Sequence, residues 1–205
     1  MVSNRSDWRA EHEDILREVG NIGAGHAASA LSALLGEEVK ISVTSARMCA
    51  FNEIADAVGG DEVVAAGIYL RMTGDVHGNM LLMLSLPSAK QLLRRLLPGQ
   101  QETLEFNELE ISALAEVGNI LGGSYMNAIG TLTHLTLTQS VPAVAIDMAA
   151  AILDIGILSA GEVCDEAILI DTVISQGKFD VQGHFFLLPD PDSLTTLLCA
   201  LGWCT

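Results

Sequence analysis

Leu114-Ala115-Glu116-Val117-Gly118-Asn119-Ile120 decides how this chain is built, because almost the same run stands 98 positions earlier as Leu16-Arg17-Glu18-Val19-Gly20-Asn21-Ile22. Working outward at the same spacing, Gly25 pairs with Gly123, Ala30 with Ala128, Leu34 with Leu132, and Ser42-Val43 with Ser140-Val141. Farther on, Gly78 to Leu84 matches Gly183 to Leu188, now 105 positions apart. β-like segments precede these runs at 63–72 and 167–175, and short helical stretches follow at 88–97 and 193–201. Thr73-Gly74-Asp75 and Gln176-Gly177-Lys178 supply the hairpin turns. Each half therefore reads as long helix, strand, variable segment, β-hairpin and helix. The polar stretch Gln100–Glu105, after Pro98-Gly99, is the natural joint. Halves of about 7–99 and 106–204 are too small to bury much surface separately. The expectation is one α/β (α+β) domain over 1–205, a pseudo-two-fold duplication with two long helices packed on a β-sheet core.

Composition permits that core. Half of the 205 residues are hydrophobic and 18% are charged, so Ala, Leu, Ile, Val and Met must do the packing that the scarce aromatics, at 4%, cannot. A formal net charge of −16 repels phosphate backbones and anionic lipid, which argues against nucleic-acid and membrane-surface partners. The first eight residues lack the apolar stretch of a secretory signal. The apolar run Ala143–Leu158 is interrupted by Asp147 and Asp154 and is too short to span a bilayer. The cysteines, Cys49, Cys164, Cys199 and Cys204, form no CxxC pair and are expected as free thiols in the cytoplasm.

At about 100° per residue, Asp14, Glu18, Asn21 and Gly25 fall within a sector of roughly 60°. Ser112, Glu116, Asn119 and Gly123 repeat the arrangement. Ile15, Val19 and Ile22, with Ala113, Val117 and Ile120, form the neighbouring core stripe. An isolated E-x-x-N would be decoration on a solvated helix face. Its recurrence with matching flanks favours a function, and neither pair sits at a helix start, where a cap would belong. Glycine inside a helix costs about 1 kcal/mol relative to alanine. Gly25 and Gly123 beside the pair therefore suggest a close approach of another backbone, while helix–sheet packing explains Gly20 and Gly118 equally well. Gly20-Asn21-Ile22-Gly23-Ala24-Gly25 is no dinucleotide fingerprint, since its spacing is wrong and it follows a helical stretch. The scattered histidines give no ligand spacing.

Glutamate plus asparagine, without a nucleophile–base pair or metal cluster, is poor equipment for covalent catalysis. An amide can nevertheless hold a water in line with an electrophile, and a carboxylate can grip a cation on a partner. Phosphoryl hydrolysis is accelerated largely by such positioning and electrostatics.

The repeated Glu-Val-Gly-Asn-Ile helix, with Asp14 or Ser112 four residues ahead of the glutamate and Pro142 after a gap of 22 residues, resembles the CheC family of chemotaxis phosphatases. Met72 to Gly78 and Phe106-Asn107-Glu108 also look CheC-like. The resemblance implies hydrolysis of the aspartyl phosphate of the response regulator CheY. It assigns Asn119 and Asn21 to orient the attacking water and Glu116 and Glu18 to engage a receiver lysine. Asp14, Ser112, Pro142, Gly25 and Gly123 would support the motif. No cofactor would be held by this chain, the magnesium belonging to the phosphorylated receiver. The first half departs from the pattern in carrying Thr44 where the second has Pro142. The resemblance also implies the deamidase CheD as a partner, contacted through a helix within 143–158, with Asp147 a candidate contact. Read from the residues, that run is a buried helix with two exposed acids one heptad apart on one side, or an interaction surface. The alternative to a phosphatase is a non-catalytic flagellar-switch or scaffold module of the FliM/FliY type.

Overall fold

A computed structural model describes residues 10–99, 105–160 and 166–203. The first copy comprises α1 (Ala10–Leu35), β1 (Lys40–Ala50), two short 3-10 turns, β2 (Val64–Gly74), β3 (Gly78–Ser85) and α2 (Leu86–Leu96). The second comprises α3 (Glu108–Thr133), β4 (Leu137–Gln139), β5 (Ala143–Met148), α4 (Ala149–Ala160), β6 (Glu166–Gln176), β7 (Phe179–Pro189) and α5 (Pro191–Ala200). Both predicted hairpins form at the predicted turns, closed by Gly74 and Gly177 with positive φ. Most of the joint between the copies, 100–104, lies outside the described residues.

The strands make one antiparallel seven-stranded sheet in the order β1-β6-β7-β3-β2-β4, with β5 also pairing β2. The two hairpins meet at its centre, where β3 pairs with β7. The outer strands are exchanged. β1 of the first copy pairs with β6 of the second, while β4 and β5 of the second pair with β2 of the first.

Alternation along the strands separates two cores. Ile68, Leu70, Met80, Leu82, Ile168, Ile170 and Phe185 face the larger one, under the four helices α1, α2, α3 and α5. Leu81, Met83, Leu169 and Phe186 face a smaller one, closed by the 3-10 turns and α4. β3 is buried on both faces, so it reads as a continuous apolar run. α3 starts at a capping box: Glu110 N–H donates to Asn107 Oδ1 and Asn107 N–H to Glu110 Oε2, both at 2.9 Å. Ser85 accepts from Ser88 N–H to cap α2, with Pro87 in its first turn.

Three expectations are corrected. Ala143–Met148 is a strand, not the start of a helix, so Asp147 and Asp154 lie on different elements. It is the second-copy counterpart of the latter part of β1, and its backbone is claimed by β2 from Val64 to Tyr69. Both acids are nonetheless exposed. Cys199 is disulfide-bonded rather than free; Cys49 is buried, and Cys164 and Cys204 lie outside the described residues. Finally, nothing lies within 4 Å of where a Cβ on Gly25 would be, and on Gly123 it would meet only the Gln139 side chain. No backbone of the described residues approaches either glycine. The tight approaches are elsewhere. A Cβ on Gly118 would collide with Ile68, one on Gly23 with Tyr125, and one on Gly20 would press on Val43 and Ile170. Those residues seat the twin helices on the sheet and on each other.

Candidate functional site

Packing of Val117, Gly118 and Leu121 against the sheet turns the opposite face of α3 to solvent, and Ser112, Glu116 and Asn119 stand exposed on it. On α1, buried Leu16, Val19 and Gly20 likewise leave Asp14, Glu18, Asn21 and Gly25 exposed. Helical periodicity anticipated these exposed faces, although Gly123, expected on the second, is half-buried. Ser112 is engaged within its own helix, its hydroxyl donating to Glu108 O at 2.8 Å.

Beside the second pair an open groove of about 430 Å³ runs between α3 and the β4–β5 junction, lined by Ser112, Ala115, Glu116, Asn119, Gln139, Ser140, Val141 and Pro142. The junction exists because proline has no N–H to give to a ladder. There Arg71 N–H of β2 donates to Ser140 Oγ at 2.9 Å, and Ser140 N–H donates to Arg71 O at 2.9 Å. Val141 is left 88% exposed at the groove's rim. The first copy differs here. β1 runs on through the equivalent position with only a register shift between Val43 and Ser45, and the Thr44 hydroxyl donates to Asp171 O at 3.3 Å. Thr44 for Pro142 thus converts a broken strand into a bulged one.

Gln139 is the residue that sequence reasoning missed. Its Nε2 donates to Asn119 Oδ1 at 2.7 Å and lies 3.1 Å from Asn119 O. The repeat hid it, because its counterpart 98 positions earlier is Ile41.

Chemically, each helix offers an exposed carboxylate and an exposed amide one turn apart. Among the described residues no three His, Cys, Asp or Glu side chains gather to hold a metal ion. The polar cluster of Ser45, Asp171 and His184 is elsewhere, across β1, β6 and β7. Both its serine and its histidine bond the aspartate, so it has no nucleophile–histidine pair. Among the described residues no helix is long and apolar enough to cross a membrane.

The family model of the CheC-like family matches residues 11–43 and 109–146, which span most of the two long helices and reach into the strands that follow. CheY-P phosphatase CheC of Bacillus subtilis is 42% identical over 199 residues, covering 95% of this chain and 95% of that protein. The chain therefore belongs to the CheC-like family. Among solved structures, FliY from Thermotoga maritima superposes with a TM-score of 0.75 at 21% identity, covering 96% of this chain and 98% of that one. The middle domain of FliM from H. pylori superposes at 0.69 and 14% identity, covering 94% and 99%. These likenesses bear out the fold.

Proposed function

We propose that this protein is a CheC-type phosphatase that hydrolyses the aspartyl phosphate of CheY, with one site on each long helix. The single observation that carries the reading is the exposed Glu116–Asn119 pair on an open groove, repeated as Glu18–Asn21. The 42% identity to a CheY-P phosphatase supports the same activity. The glutamate pairs with a receiver lysine and holds the receiver against the helix. The asparagine amide orients a water, whose oxygen bonds to phosphorus as the bond between phosphorus and the aspartyl oxygen breaks. The products are a free aspartate and inorganic phosphate, which takes up the water's proton. Magnesium is the receiver's own. A stretch of exposed side chains suits a partner that brings its own electrophile and metal, since catalysis then needs only orientation.

By the same reading the protein works in the cytoplasm. CheD remains a proposed partner, and Asp147 a proposed contact, now from the exposed end of β5; unchanged CheD binding by Asp147→Lys removes that contact.

The test mixes the protein with CheY labelled by a small phosphodonor and magnesium and follows phosphate release. Asn21→Ala combined with Asn119→Ala is expected to return release to CheY's own rate. Release that stays fast in the double variant overturns the mechanism. If the unaltered protein binds phosphorylated CheY without accelerating release, the FliM/FliY-type scaffold replaces it.

A further inference from the structure

An asparagine amide has two orientations of nearly equal shape, one presenting oxygen and the other NH2 to any given neighbour. Beside the second pair, Gln139 removes that ambiguity. Its Nε2 lies 3.1 Å from the main-chain oxygen of Asn119, which can only accept, so the NH2 end of Gln139 must face Asn119. The same NH2 is 2.7 Å from the Asn119 side chain, whose oxygen must therefore turn toward it. Both Nδ2 hydrogens and the second lone pair of Oδ1 are left for the groove.

The seat of Gln139 is built for it. Its Oε1 is buried without a hydrogen-bond partner among the described residues. A Cβ on Gly122 would stand 2.8 Å from that oxygen, so a side chain there would push the Gln139 amide out of its place. A buried oxygen without a partner is a cost to stability, and its retention points to what the other end of the side chain does. In the first copy the counterparts of Gln139 and Gly122 are Ile41 and Ala24. Side chain and seat are absent together.

We propose that Gln139 is a positioning residue that clamps the amide of Asn119 in the orientation that receives the attacking water, and that the first site operates without such a clamp. The inference rests on the phosphatase reading above.

Phosphate release from phosphorylated CheY tests it in the Asn21→Ala chain, where only the second site reports. Gln139→Met keeps the length and removes the donor; Gln139→Glu keeps the shape and replaces the donor with an acceptor. Both are expected to lower kcat roughly tenfold with KM unchanged, and Gln139→Met to leave Tm nearly unchanged, because removal of the unpartnered buried oxygen offsets loss of the hydrogen bonds from Nε2 to Asn119. In a chain that keeps Asn21 but lacks Asn119, Gln139→Met is expected to leave kcat where it was, since the residue acts through Asn119. Unchanged kcat in both Gln139 variants, or an equal fall in the absence of Asn119, overturns the clamp. If Asn119→Ala itself costs nothing, the phosphatase reading of this site falls first.

Discussion

Ile68 of β2 occupies the space that a side chain on Gly118 would need: a Cβ there would run into Ile68 Cγ2. The glycine lies between Glu116 and Asn119, so the contact that seats α3 on the sheet also sets the height of the pair above it. Gly118→Ala is expected to destabilise the fold by about 1–3 kcal/mol through overpacking. It should lower phosphate release as well, although it removes no group from the groove. Urea unfolding and the release assay measure both.

Gly25 gives the opposite result. Its Cβ position is open, so Gly25→Ala is expected to stabilise the fold by about 0.5–1 kcal/mol. A loss of stability on urea unfolding would restore the close approach that its place in the repeat suggests.

Acid should weaken the start of α3. Burial opposes ionisation of Glu110, but the Asn107 N–H and the Lys90 ammonium at 3.0 Å outweigh it and hold the carboxyl below its ordinary value. A carboxyl whose pKa is lower folded than unfolded stabilises fully above the unfolded value, and that stability is lost as pH falls through the folded one. Asp171 has the same sign: burial is outweighed by hydrogen bonds from His184 and Ser45 and by the charges of His184 and Arg47. Glu110→Gln is expected to lose about 1–3 kcal/mol at neutral pH. Its Tm should approach that of the unaltered protein as pH drops below the carboxylate range, and parallel Tm–pH curves would contradict this.

Glu116 and Asn119 should separate kinetically. An exposed carboxylate gripping a partner's lysine acts on association and is screened by salt. Glu116→Gln in the Asn21→Ala chain is expected to raise KM for phosphorylated CheY about threefold, to weaken the salt dependence of KM and to leave kcat nearly intact. Asn119→Ala should act on kcat. Reversed effects would exchange their roles.

The two sites are expected to be unequal. Pro142 opens the junction beside Asn119, whereas β1 continues past Asn21, with Thr44 at its bulge and Ile41 in place of Gln139. Asn119→Ala should therefore cost more phosphate release than Asn21→Ala. Equal losses would show that strand geometry and the amide clamp are immaterial.

Much of this was legible in the residues because duplication doubles each signal. Two copies of a helix with the same polar face and the same buried stripe locate both pairs without coordinates. The hairpins announce themselves through Gly74 and Gly177. Ala143–Met148 misleads because its small apolar residues carry no turn punctuation before α4, and what makes it a strand is a distant partner, β2. Gln139 escaped for the opposite reason: a search for repeated residues discards what one copy has alone. Gly25 and Gly123 drew attention by lying on the polar face, but the tightly packed glycines, Gly118 and Gly122, could be told apart only once Ile68 and Gln139 were in place.

The exchanged outer strands tie the fate of one Glu–Asn face to the other. Severed between its copies, the chain would yield two fragments, each with a hairpin whose flanking strand belongs to its sister. Neither could be expected to hold shape alone, yet mixed together they could reassemble. A lesion beneath one pair should likewise loosen its twin, so that the two faces stand or melt as one.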